Sequence, residues 1–284
     1  VMTPLARKRL DKVTLNTLGV LVFVVATFPV YWMVSTAFKA NDQIFTTDFI
    51  PFPTHFTFEH VQRVLSEGVA GHSIWLYMRN SAIVALGTIL IGAVFALLSA
   101  TAVARFRFKG RTPFLALLLV VQMIPAEALV IPLFLSVKRL GLYDQLLGLI
   151  VTQVALTLPF GIWMLRTFVA AVPKSLEEAA WIDGAGRFTT FWKVLFPLVA
   201  PGLVATSIFS FITAWNELIM SLYLISDPTK YTMPVALQYF FGQKGTDWGA
   251  IMASSTMMTI PVVIFFLVVQ RRMVSGLVAG AVKG

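Results

Sequence analysis

The sequence contains no cysteine. That removes disulfide frameworks, thiolate metal ligands and cysteine nucleophiles from consideration. Charge is scarce too. Only 12% of the 284 residues are charged, against about a quarter in a soluble domain, too few to cover a soluble surface. Acids are scarcest, 13 against 22 bases, beside three histidines. His55, His60 and His72 lack any zinc-site spacing such as H-E-x-x-H and read as solvated loop residues. No phosphate-cradling G-x-x-x-x-G-K-[ST] occurs, and the glycine-rich stretch from Gly276 to Gly284 lacks that order. No constellation of His, Asp and Ser marks a membrane-embedded enzyme. What the chain has instead is apolar mass: 58% hydrophobic residues, 24 Phe and a mean hydropathy of +0.83. A disordered chain is poor in such residues.

The few charges are clustered, and long gaps separate the clusters. Val13–Phe38, Ser81–Ala104, Gln145–Leu165 and Trp248–Gln270 carry no Asp, Glu, Lys or Arg, while Thr112–Val137 carries only Glu127 and Val194–Ser226 only Glu217. Crossing a hydrocarbon core takes roughly 20 apolar residues as a helix. Barrel strands are about 10 residues long and alternate in polarity. The six gaps therefore predict six membrane-spanning helices. The first resembles a signal peptide in its basic Arg7-Lys8-Arg9 lead, but its apolar stretch is too long and no A-x-A-like site follows. It is expected to be a retained helix.

Basic residues assign the sides. With the N-terminus inside, 15 Lys and Arg fall in inner segments and 7 in outer ones, accounting for all 22. The net charge of +9 is thus mostly positive-inside anchoring rather than a nucleic-acid footprint. The outer segment from about 39 to 77 is punctuated by Pro51, Pro53 and Gly68, and Thr57–Leu65 reads as a short surface helix.

The inner segment between spans four and five is the most informative. Pro173 ends the preceding helix. Ser175 and Glu178 have capping-box spacing, which puts Glu178 at the third position of a new helix. Gly184 and Gly186 close that helix. A second apolar stripe, Phe188, Phe191, Trp192 and Leu195, follows at helical spacing, and Pro197 opens span five. Ala179 and Ala180 beside two acids suit a protein partner better than anionic lipid, which attracts bases.

These residues resemble the EAA loop of binding-protein-dependent ABC importer permeases, which reads E-A-A, three residues, G, nine residues, I-x-L-P. Here it stands as Glu178-Ala179-Ala180, Gly184 and Val194-Leu195-Phe196-Pro197, with two apolar departures. Trp215-Asn216-Glu217 and Thr246-Asp247-Trp248-Gly249 are similar to stretches of the carbohydrate-type permeases, and Gln270–Gly284 is similar to the tail of the six-helix maltose-type subunit. The resemblance implies an all-α integral membrane protein with the type I importer permease fold and a cytoplasmic coupling helix. Residues 1–12 would be a cytoplasmic segment, 13–272 the six-helix domain with its coupling loop at about 172–197, and 273–284 a cytoplasmic tail. The implied partners are a second permease in a heterodimer, two cytoplasmic ATPases, an external solute-binding protein, membrane lipid and a sugar, with no nucleic acid. ATP and Mg would be bound by the ATPases, and no cofactor, metal or catalysis is expected of this chain. Glu178, Ala179, Ala180, Asp183 and Gly184 would meet the ATPase, as would Gly276, Gly280 and Lys283 in the tail. The location implied is a bacterial or archaeal cytoplasmic membrane, crossed several times, with both termini cytoplasmic.

Two acids inside spans need explanation, since a charge at the bilayer centre costs at least ~2.5–3.5 kcal/mol. Counted at about 1.5 Å per residue, Glu127 and Glu217 both fall roughly 15 Å inward from the outer helix ends. With Asn80, Gln122, Gln153, Trp215 and Asn216 they are candidates for a sugar path. Hydrogen bonding between helices is the alternative role for each. Pro125, Pro132 and Pro159 are expected to kink their helices. Two other functions compete. An ion-coupled secondary transporter would show internal repeats, and residues 1–142 and 143–284 share none. An ABC importer of a polyol or glycerol phosphate differs only in solute.

Overall fold

A computed structural model describes the backbone of residues 4–242 and 245–281 and the side chains of residues 12–241 and 245–270. The helices run in the order α1 (Pro4–Ala37), α2 (Asn41–Ile44), α3 (Glu59–Ser66), α4 (Ile74–Arg105), α5 (Arg111–Gln122), α6 (Val130–Arg139) and α7 (Leu146–Ala171). There follow α8 (Lys174–Ile182), α9 (Arg187–Thr190), α10 (Phe196–Trp215), α11 (Ile219–Leu224), α12 (Met233–Leu237) and α13 (Trp248–Ala281). Before α13, β1 (Phe241–Gly242) and β2 (Gly245–Thr246) pair antiparallel. Five helical stretches are long and apolar enough to cross a membrane: Lys12–Ala37, Ile74–Arg105, Leu146–Ala171, Arg187–Trp215 and Trp248–Gln270. A sixth is a pair, Arg111–Gln122 and Ala126–Arg139, bent by 100°.

That bend falls at Pro125, one of the prolines expected to kink a helix, and it is a full break rather than a kink. Pro125 has no N–H to donate and sits at φ −56°, ψ 133°, outside helical geometry. The chain breaks there and restarts through a short 3₁₀ turn, Ala126–Leu129. Pro132 falls in the first turn of α6, where a missing N–H costs nothing. Pro159 is carried inside an unbroken α7. The fifth span differs as well. It begins at Arg187, before Pro197, through a π turn at Phe191–Leu195, a widened turn that accommodates a following proline. The widening shifts the register of the aromatic stripe: Leu195 is buried, while Phe188 and Trp192 are exposed.

The chain divides into two compact units, residues 1–73 with 239–259 and residues 74–238 with 260–284. The second is built on α4, α7 and α10 packed together. One apolar cluster holds Ala96, Leu97, Ile162, Leu165, Leu195 and Val199 near the end of α4; the other holds Val84, Val137, Leu149, Met220 and Leu224 near its start. Each end is tied by charge. Arg105 reaches Glu177 and the Val172 carbonyl. Asp144 accepts from the Ser226 and Asp227 N–H groups and pairs with Lys230. Loops two and four thus share one face and loops three and five the other, as six alternating spans require.

In the first unit the expected surface helix forms as α3. His60, read as solvated, is instead fully buried. Its Nε2 lies 2.9 Å from the Lys39 carbonyl, so Nε2 carries the proton and Nδ1 accepts from Arg63 Nη2 at 3.2 Å. Arg63 in turn pairs with Asp247 at 2.8 Å. A Cβ at Gly249 would come within 2.2 Å of the His60 ring, so the absence of a side chain on α13 makes room for the histidine.

Candidate coupling turn

After α7 the chain extends through Val172 (ψ 122°) and Pro173 (φ −59°, ψ 131°), and α8 starts at Lys174. The expected capping box is not formed. Pro173 occupies the cap position with no side-chain bond, and the Leu176 N–H donates to its carbonyl at 3.3 Å. Proline's fixed φ and free carbonyl start the helix two residues early. Glu178 therefore stands at the fifth helical position, not the third.

The acid that is held is its neighbour. Glu177 Oε1 lies 2.6 Å from Arg105 Nε, with side chains only 12% and 9% exposed. The angle falls short of a hydrogen bond, so the contact is an ion pair. Arg105 Nη2 donates to the Val172 carbonyl at 2.9 Å. One guanidinium at the end of α4 thus holds both the turn before α8 and α8 itself. Neither residue was singled out from sequence. The available signal was that Arg105 is the first charge after 24 uncharged positions; it meets the acid next to the motif only in space.

With Glu177 turned inward, Glu178, Ala179, Asp183 and Gly184 face outward, and Ala180 is half-buried. Leu176 and Ile182 are exposed on the same helix. Glu178 has no ion-pair partner among the described residues. Gly184 closes α8 at φ +84°. Its N–H donates to the Trp181 carbonyl at 3.0 Å and the Ala185 N–H to the Ala180 carbonyl at 2.9 Å. These are the two bonds of a Schellman closure, which wants glycine at the left-handed position. Beside α8 lies a cavity of about 410 Å³ lined by Arg105, Lys174, Glu178, Trp181, Arg187 and Phe191 among others. The surface is thus one of small side chains and unpaired charge, on a helix fixed at both ends.

The polar residues within the spans fall into separate environments. Asn80 is buried and donates to the carbonyls of Thr229 and Tyr231, at 2.9 Å each. Trp215 is buried and stacks on Phe211. α10 ends at Trp215, Asn216 bonds back to the Ile212 carbonyl, and Glu217 accepts from the Met220 N–H at 2.8 Å, capping α11. Glu127 stands exposed in the 3₁₀ turn, and Gln122 is exposed at the end of α5. Both helices break at these acids, so depth counted along an unbroken helix does not apply to either. Gln153 is fully buried with neither amide atom bonded. Gly276 and Gly280 lie on the last turns of α13, where side chains are outside the described residues; Lys283 is outside them entirely. No group of three or more His, Asp or Glu suited to a metal occurs among the described residues.

The family described as binding-protein-dependent transport system inner membrane component matches residues 89–278. The diacetylchitobiose uptake system permease protein of Streptomyces coelicolor is 43% identical, over 98% of this chain and 99% of that one. The trehalose/maltose transport system permease protein of Thermococcus litoralis is 36% identical, over 97% and 98%. A solved bacterial ABC transporter that imports the acidic polysaccharide alginate superposes with a TM-score of 0.79 at 22% identity, over 95% and 98% of the two chains. An ion-coupled transporter is thereby set aside, and the chain belongs to the family of inner membrane permease components of binding-protein-dependent ABC transport systems.

Proposed function

We propose that this chain is one permease subunit of an ATP-driven importer of a di- or oligosaccharide, and that α8 is where the ATPases act on it. The observation that carries the reading is the arrangement of α8. Its motif acid and small residues face outward, while Glu177 is locked to α4 through Arg105. A push on Glu178, Ala179, Ala180, Asp183 or Gly184 would pass directly into the end of a membrane helix. A second permease, two ATPases that hold ATP and Mg, and an external solute-binding protein complete the assembly. The relatives' diacetylchitobiose and trehalose or maltose favour a small oligosaccharide. Among the candidate path residues Gln122, Glu127 and Asn216 remain exposed, whereas Asn80 and Trp215 are used inside the fold. In the tail Gly276, Gly280 and Lys283 are proposed to touch the ATPase.

Two variants test the coupling role. Gly184→Trp adds bulk to the docking face and should release the ATPase from the membrane. Gly184→Ala carries the same left-handed strain, about 1–2 kcal/mol, without the bulk, and should keep it. Glu178→Gln should leave the ATPase attached and slow sugar uptake. Membrane-bound ATPase and uptake, measured together, check this. Parent-like behaviour of both Gly184→Trp and Glu178→Gln would remove α8 from the coupling path. The 15-to-7 division of basic residues supports a cytoplasmic position for both termini. A cysteine at Ser66 should then react with an impermeant reagent from outside and one at Ser275 should not, with no native cysteine to interfere.

A further inference from the structure

One cavity belongs wholly to the first unit, and none of its lining has a role in the function above. It measures about 250 Å³ and is lined by Trp32, Thr36, Lys39, Gln43, Trp248 and Met252 among others. All of them belong to the first unit. Trp32 lies in the last turns of α1 and Trp248 opens α13. Alternation of the spans sets both at one membrane face, and tryptophan favours the interface between headgroups and hydrocarbon.

The polar groups of this cavity are unbalanced. Lys39 is only 2% exposed. Its ammonium donates to the Ile50 carbonyl at 2.6 Å and sits 4.1 Å from the Trp32 ring centre. An ammonium has three N–H groups, and no carboxylate pairs with this one among the described residues. Desolvation by burial holds the Lys39 pKa below its ordinary value, as expected of a cation without a counter-charge. Thr36, 6% exposed, has a buried hydroxyl with no partner among the described residues. Several helix threonines return theirs to the carbonyl four residues back, as Thr27 does to Phe23, Thr88 to Val84, Thr152 to Gly148 and Thr157 to Gln153. Thr36 does not. The amide of Gln43 is taken on both sides by Thr54, so that side chain is a wall rather than a ligand.

We propose that this cavity binds the phosphate of a phospholipid headgroup, which accepts from the Lys39 ammonium and the Thr36 hydroxyl. The charge count fits. A phosphodiester carries one negative charge and meets one buried cation, whereas free phosphate would bring more charge than the site offsets. A neutral sugar fits less well, because its hydroxyls need acceptors as well as donors and the Gln43 carbonyl oxygen is occupied. The interfacial level supplies phosphodiesters at high local concentration, and exposed Phe45 and Trp248 offer an apolar rim for the acyl ends.

The test uses the assembled transporter, purified in detergent and stripped of lipid, and the decisive variant is Thr36→Val. The Thr36 hydroxyl makes no bond among the described residues, so its removal takes nothing from the fold they show. Lys39→Gln also breaks the Ile50 contact and is secondary. Short-chain phosphatidylglycerol should raise the melting temperature of the parent. Thr36→Val should bind it roughly tenfold more weakly, from the loss of one hydrogen bond to a charged group, and should retain less lipid by mass spectrometry after purification. Inorganic phosphate and maltose should protect neither protein. If Thr36→Val binds the lipid as the parent does, or is simply more stable with unchanged lipid retention, the cavity is a dry void and the proposal fails. Equal protection by inorganic phosphate or by maltose would equally overturn the lipid assignment.

Discussion

Two charge clusters tie the ends of the second unit, and they are built on different principles. At one end a single acid and a single base, Glu177 and Arg105, meet almost out of solvent. At the other, Lys230 is shared between Asp144 at 3.0 Å and Asp227 at 3.3 Å, with all three side chains more than a quarter exposed. Removing one member of a buried pair strands the other charge where water cannot reach it. Removing one member of an open cluster leaves its partners to water, which replaces most of what was lost. The first is a rigid strut and the second an adjustable clasp. The strut stands at the end proposed to receive mechanical work. The clasp stands at the end where the proposed external protein would have to engage and let go.

The largest effect should come from the strut. Glu177→Ala leaves Arg105 buried and unpaired, an expected loss of about 3–5 kcal/mol, and frees α8 from α4. Melting temperature should fall sharply, and any sugar-dependent ATPase activity should be lost even where the complex still assembles. A variant that melts with the parent would show the strut to be ornamental.

Glu217 is intermediate, since its partner is a backbone N–H rather than a base. Glu217→Ala removes the cap of α11, at about 0.5–2 kcal/mol, while Glu217→Gln keeps an acceptor oxygen and should restore stability. If the alanine variant is as stable as the parent but transports poorly, the residue serves the solute path rather than the helix.

The clasp should respond least to mutation and most to pH and salt. Burial works to raise the Asp144 pKa, but the N–H groups of Asp227 and Ser226, with the Lys230 ammonium, hold it below the ordinary 3.8. Asp227 is lowered chiefly by the Thr229 hydroxyl and N–H. Lys230 is raised above 10.5, first by Asp144. Carboxylates with lowered folded pKa values stabilise above their unfolded values and lose that contribution as pH falls through the folded ones. A lysine with a raised value stabilises below 10.5 and loses that contribution as pH rises past its folded value. The clasp is therefore at full strength across the neutral range, begins to weaken only as pH approaches the ordinary 3.8 and is lost as pH falls through the lowered folded values. Asp144→Asn should flatten the acid limb of a melting-temperature profile, and 1 M salt should shrink the difference from the parent. Glu177→Ala should keep its deficit at the same salt.

The same contrast governs what could be read from the sequence. Six apolar runs, the surface helix α3 and the glycine that closes α8 depend on local spacing, and the residues declare them. Depth did not follow from spacing, because Pro125 and the end of α10 at Trp215 interrupt the helices along which it was counted. The capping box of Ser175 and Glu178 had the right spacing, but Pro173 started the helix first. Glu177 with Arg105, and His60 with Lys39 and Arg63, are meetings of distant residues. Histidine spacing along the chain carries no trace of the Gly249 gap that makes room for His60.

Residues 13–30 of α1 are all exposed, while more than half of the most apolar window of α7 is buried. Within this chain, what holds residues 13–30 of α1 is bulk preference for hydrocarbon rather than fit. Its apolar positions should accept almost any exchange of Leu, Val, Ile or Phe, so long as length and greasiness persist, and should drift quickly among relatives. Those of α7 are fixed by individual neighbours and should change only in concert. Grafting a foreign apolar helix for residues 13–30 would accordingly be a far milder operation than moving a single methyl group at Leu149 or Leu165.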